Sequence, residues 1–80
     1  MIVYESDLKS EAISAMENCR AFVLNGEMGR AHYYRGKASA YEDMLADEGI
    51  DLSESNSYYA ALLEDYLKAS KEIRGGEYGA

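Results

Sequence analysis

The stretch GRAHYYRGKASAYEDML, residues 29–45, decides the fold. Ala31, Tyr34, Ala38, Tyr41 and Leu45 recur at alternating spacings of three and four, which places them on one stripe of an α-helix. The segments on either side repeat the pattern. Upstream, Leu8, Ala12, Ala15, Cys19 and Phe22 form a stripe that Met16 and Val23 widen. Downstream, Tyr59, Leu62, Tyr66, Ala69 and Ile73 form a third. The chain contains no proline to interrupt any of them.

Punctuation between the stripes supplies the boundaries. The glycines in NGEMG at 25–29 and Gly49 suit the positive φ with which helices commonly end. Ser6 or Asp7 is the expected N-cap of the first helix. For the third, Asp51 with Glu54 three residues on reads as a capping box, with Ser53 as the alternative cap. Helices are therefore predicted at about 6–24, 29–48 and 52–74, with Gly75-Gly76 ending the last and a flexible tail over 75–80. Connections this short join antiparallel neighbours. The expected fold is all-α: one domain over 1–80, a three-helix bundle or helical hairpin. The N-terminal MIVY is β-prone and apolar, and could pair with a partner or pack on helix one.

The helix faces are wider than such a core needs. Tyr33, Ala40 and Met44 form a second stripe on helix two, about 100° around from the first. Tyr58, Leu63 and Leu67 flank the stripe of helix three. An 80-residue chain buries only about 60–65% of the surface it exposes unfolded. Part of this apolar surface is thus expected to meet another chain, with a homo-oligomer, a dimer foremost, completing the core. Gly36 and Ala40, four apart beside Tyr33, would let a partner helix approach closely, and Gly36→Leu should then weaken association while leaving helicity intact.

Charge narrows the function. Fifteen acids against eight bases give a net charge of −7. That disfavours direct binding to nucleic acid or to an anionic membrane. The 48% hydrophobic content argues for a folded chain, and no apolar run reaches the length of a membrane span. MIVYESDLKSEA lacks the basic region and apolar run of a signal peptide, and a lone cysteine gives no sign of an oxidising compartment. A soluble, cytoplasmic protein is expected.

No catalytic set is legible. His32 has Met28, Gly29, Arg35 and Gly36 as its helical neighbours and no carboxylate among them, so it reads as an exposed surface histidine. Cys19 lies on the core stripe, late in its helix, and reads as a small buried hydrophobe. No phosphate loop, dinucleotide fingerprint, nucleophile elbow or zinc-ligand spacing occurs, and no cofactor or metal is expected.

The carboxylates are the strongest polar feature. Glu42, Asp43, Asp47, Glu48, Asp51, Glu54, Glu64 and Asp65 fall in one stretch that contains no base. A solvated face explains them in one reading; a negative patch for a basic partner explains them in the other. The bases cluster elsewhere. Lys68, Lys71 and Arg74 suit a helix C-terminus, whereas Arg30, Arg35 and Lys37 sit at a helix start, where the dipole disfavours them. The latter are candidates for contacts with the acidic corner of a neighbouring molecule.

The expectation is a non-enzymatic acidic helical binding module. Its surface comprises Tyr33, Gly36, Ala40, Met44 and Tyr58 with Glu42, Asp43, Asp47, Glu48, Asp51, Glu54 and Arg35. One specific form is a phage-type inhibitor that fills the nucleic-acid groove of a basic host protein by mimicking phosphate charge. The alternative is a self-assembling structural or scaffolding component.

Overall fold

The computed structural model describes the backbone of residues 5–78 and side chains as far as residue 71. Among these residues the fold is all-α, with no strand: α1 (Glu5–Leu24), α2 (Met28–Asp47), the one-turn α3 (Leu52–Ser55) and α4 (Ser57–Tyr78). MIVY at 1–4 lies outside the described residues.

Two tight turns make the bundle. After α1, Gly26 adopts φ +77°. Glu27 N–H then donates back to Phe22 C=O at 2.8 Å and Gly26 N–H to Val23 C=O at 3.1 Å, a Schellman motif. The same geometry closes α2. Gly49 has φ +79°, Ile50 N–H reaches Leu45 C=O at 3.0 Å, and Gly49 N–H reaches Ala46 C=O at 2.9 Å. Both glycines therefore sit where a side chain would be strained, and both reverse the chain.

Three boundaries differ from the sequence reading. Ser6 and Asp7 do not cap α1 but lie within its first turn, where Glu5 and Asp7 meet the positive end of the helix dipole. The third helix is two helices. Asp51 accepts from Glu54 N–H at 3.3 Å, the N-cap half of the expected capping box, but the helix it starts stops at Ser55. Asn56 takes an extended backbone, φ −134° and ψ +107°, and its side chain accepts from Tyr59 N–H at 2.9 Å, starting α4 afresh. Finally, helical backbone continues through Gly75-Gly76 to Tyr78, where a stop and a flexible tail were expected. Glycine lowers helix propensity by about 1 kcal/mol relative to alanine but does not forbid the helix. What ends α1 and α2 is the positive-φ turn.

The helices run up, down and up. Phe22 stacks on Tyr34 at 5.5 Å, across the α1–α2 turn. Tyr59 and Tyr66 of α4 meet Glu42 and His32 of α2, so α4 is antiparallel to α2. The core takes Leu8, Ala12, Ala15, Met16 and Cys19 from α1 and Ala31, Ala38 and Leu45 from α2. Leu52 of α3 and Tyr59, Leu62 and Tyr66 of α4 complete it. Side-chain size explains the spacing. The alanines and cysteine of α1 and α2 let those helices approach most closely, while α4 stands further off on its tyrosines and leucine.

Candidate functional site

The α2–α3 corner carries the acids. Asp43, Asp47, Glu48, Asp51 and Glu54 are all exposed there, as the sequence suggests. Asp43 and Asp51 line an open cleft of about 390 Å³ together with Glu42, Ala46, Ile50 and Leu52. Asp51 also accepts from the Ser53 hydroxyl at 2.8 Å. That bond, aided by the Glu54 N–H, holds its carboxyl below the usual aspartate value. Among the described residues no group of three or more His, Cys, Asp or Glu side chains is placed to hold a metal ion. The cleft is an acidic, partly apolar concavity suited to a cationic side chain.

Glu42 is set apart from the other acids. Its Oε2 accepts from Arg35 Nη1 at 2.6 Å and from the Tyr59 hydroxyl at 2.5 Å. Arg35 and Glu42 are seven residues apart on α2, hence on one line of the helix, beside buried Ala38. Both are about three-quarters buried, and Tyr59 is fully buried. Burial, then the bond to Glu42, pushes the Tyr59 hydroxyl well above its ordinary pKa. Arg35, expected to reach a neighbouring molecule, thus pairs within its own chain. The network clasps α4 to α2.

Three further polar bridges tie α4 to the other helices. The Tyr58 hydroxyl donates to Glu17 at 2.7 Å, tying α4 to α1 and raising the tyrosine's pKa. Arg20 lies 3.9 Å from Asp65 beside it. His32 is exposed, as expected, but its Nδ1 shares a hydrogen bond of 2.6 Å with the hydroxyl of Tyr66, ring edge to ring face. The histidine's partner is a tyrosine on another helix, which helical neighbours alone could not disclose. Cys19 is fully buried; desolvation raises its thiol pKa, against the opposing charge of Arg35. Such a thiol is a poor nucleophile.

The outer face of α2 carries the aromatic half of the expected surface. Tyr33 is 62% exposed and Met44 51%, with Gly36 and Ala40 exposed between them. Lys37 lies 5.7 Å over the Tyr33 ring and 5.6 Å over Tyr34. Arg30 lies 5.6 Å over Phe22. The acidic corner and this face are adjacent along α2, so the expected residues form two surfaces, one anionic and one mixed. Arg35 is taken up by its pairing with Glu42, which also reaches the cleft wall, and Tyr58 lies apart from both surfaces, exposed on α4 and bonded to α1.

The fold and these surfaces define a small all-α bundle, in whose described residues no helix is long and apolar enough to cross a membrane. No family model matches the sequence, and no curated protein or solved structure matches it.

Proposed function

We propose that the protein is a non-enzymatic acidic binding module of the cytoplasm that covers a basic surface on another protein. The carrying observation is the α2–α3 corner, where five carboxylates stand exposed and two of them, Asp43 and Asp51, line a cleft shared with Ala46, Ile50 and Leu52. An uncompensated anionic concavity on a rigid turn gives a basic partner both steering and a seat for a cationic side chain. The specific form of this reading is a phage-type inhibitor occupying the nucleic-acid groove of its target. Immobilised protein, exposed to host lysate across a salt titration, tests it. Capture of a basic nucleic-acid-binding protein that falls with salt, and is lost on neutralising Asp43, Asp47, Asp51 and Glu54 together, supports the reading. Capture undiminished at high salt overturns it.

The outer face of α2 favours a second reading, self-assembly. Tyr33 and Met44 leave large apolar area in water on a bundle with a small core. Light scattering from micromolar to millimolar concentration measures it directly.

A further inference from the structure

We infer that two copies of this chain pair through the outer face of α2, antiparallel and in one register. The inference rests on the self-assembly reading and specifies its partner, geometry and contacts.

Six residues define the face: Arg30, Tyr33, Lys37, Ala40, Met44 and Asp47, spaced three, four, three, four and three. All six are exposed. The core stripe of Ala31, Ala38 and Leu45 faces away from them, toward α1 and α4. The spacing is that of a heptad seam, and it reads the same from either end. A second α2 laid antiparallel, centred between Ala38 and Ser39, therefore sets Arg30 against Asp47, Tyr33 against Met44 and Lys37 against Ala40 of the second copy. Twofold symmetry repeats each pair, giving a seam about 25 Å long.

The chemistry of the pairs agrees with the geometry. Arg30 meets an acid; its side chain is 70% exposed, and its own contacts, 3.7 Å to Glu27 and 5.6 Å over the Phe22 ring, are solvent-facing ones that a carboxylate can join or replace. Tyr33 meets a thioether, a favourable aromatic–sulfur contact. Lys37 meets the small Ala40, and its ammonium is already drawn back over Tyr33 and Tyr34, clear of the twofold axis. Gly36 flanks that central layer. Its φ is not positive, and a Cβ there would meet nothing within 4 Å, so the single chain gives no reason for a glycine in mid-helix. A second helix backbone does.

Charge also selects the occupant. The molecule carries −7 overall, yet this seam holds two bases and one acid. A basic partner would meet Arg30 and Lys37 and be repelled. A second copy brings Asp47 to Arg30 twice, and docks on a face that is not itself net acidic.

Sedimentation equilibrium over about 1 µM to 1 mM tests this, since a seam this short implies a weak dimer. The wild-type chain should dimerise. Arg30→Glu and Asp47→Arg should each weaken association about tenfold or more, because two attractive pairs become repulsive. An equimolar mixture of the two variants should regain association as a heterodimer, with circular dichroism confirming that each is folded. Gly36→Leu should weaken the dimer. A wild-type monomer throughout the range, two variants that self-associate like wild type, or a mixture that fails to associate would each overturn the inference. Self-association unaffected by both substitutions would leave self-assembly standing and remove this register. Capture of a basic protein through the α2–α3 corner is read separately and should survive Arg30→Glu.

Discussion

Removing one oxygen tests the clasp between α2 and α4. In Tyr59→Phe the fully buried ring keeps its volume and only the hydroxyl that donates to Glu42 is lost. A hydrogen bond to a charged acceptor is worth about 1.5–3 kcal/mol, and the partial exposure of Glu42 places this one near the lower end, about 2 kcal/mol. A chain of this size has roughly 4–12 kcal/mol of stability in all, so the variant should fold but with a visibly reduced margin. In urea, followed by far-ultraviolet circular dichroism, the midpoint should fall by about 1–2 M at unchanged slope. Thermal unfolding should shift by about 8–16 °C.

The second arm of the experiment carries the logic. In a Glu42→Ala background the Tyr59 hydroxyl is buried without its carboxylate, and Tyr59→Phe should then cost less than about 0.5 kcal/mol, because an unpaired buried hydroxyl is itself unfavourable. The loss of the Arg35 partner is common to both members of that background and cancels in the cycle. An equal cost of Tyr59→Phe in both backgrounds would refute the clasp and assign the hydroxyl's effect to packing alone.

Three other outcomes are expected. Raising the pH through the ordinary tyrosine value of 10.0 should destabilise the fold, since the native Tyr59 hydroxyl holds its proton where the unfolded one releases it. The stability is present below that value and lost above it, and Tyr59→Phe should flatten the alkaline limb of a stability–pH curve. Gly49→Ala should destabilise by about 1–2 kcal/mol by forcing a side chain to φ +79°, whereas Gly36→Ala should raise monomer stability by up to about 1 kcal/mol, both read from urea midpoints. The Cys19 thiol should react with a disulfide reagent only as fast as the protein opens, so the labelling rate should rise with denaturant. Rapid labelling under native conditions would contradict its burial.

The core was legible in the sequence because helical burial is periodic. The centres of the stripes of α1, α2 and α4 are buried, Phe22, Tyr34, Tyr41 and Ala69 at their edges are half-buried, and Ile73 lies outside the described side chains. The glycines after α1 and α2 mark both Schellman turns. The division of α3 from α4 was not read, because apolar residues continue at helical spacing on both sides of Asn56. The polar run Ser55-Asn56-Ser57 was the available signal, with Asn56 as a second cap. The polar bridges were hidden for a different reason. His32–Tyr66 and Tyr58–Glu17 depend on which faces of two helices meet, and periodicity along one helix does not determine that. Arg35 and Glu42 were the exception. Two opposite charges a heptad apart, beside a buried alanine, could have been recognised as a pair turned toward a neighbouring helix.

The unequal spacing of the helices bears on the order in which the protein comes apart. The α1–α2 hairpin is joined by a tight turn and sealed by alanines, so its contacts are short-range in sequence and its backbones close. α4 is held at a greater distance by tyrosine hydroxyls and a few large side chains, whose bonds all fail together when it swings out. Hydrogen exchange should accordingly resolve two cooperative units, with amides of α4 exchanging through a partial opening and those of α1 and α2 only through global unfolding. On refolding the hairpin should form first and present the groove into which α4 closes.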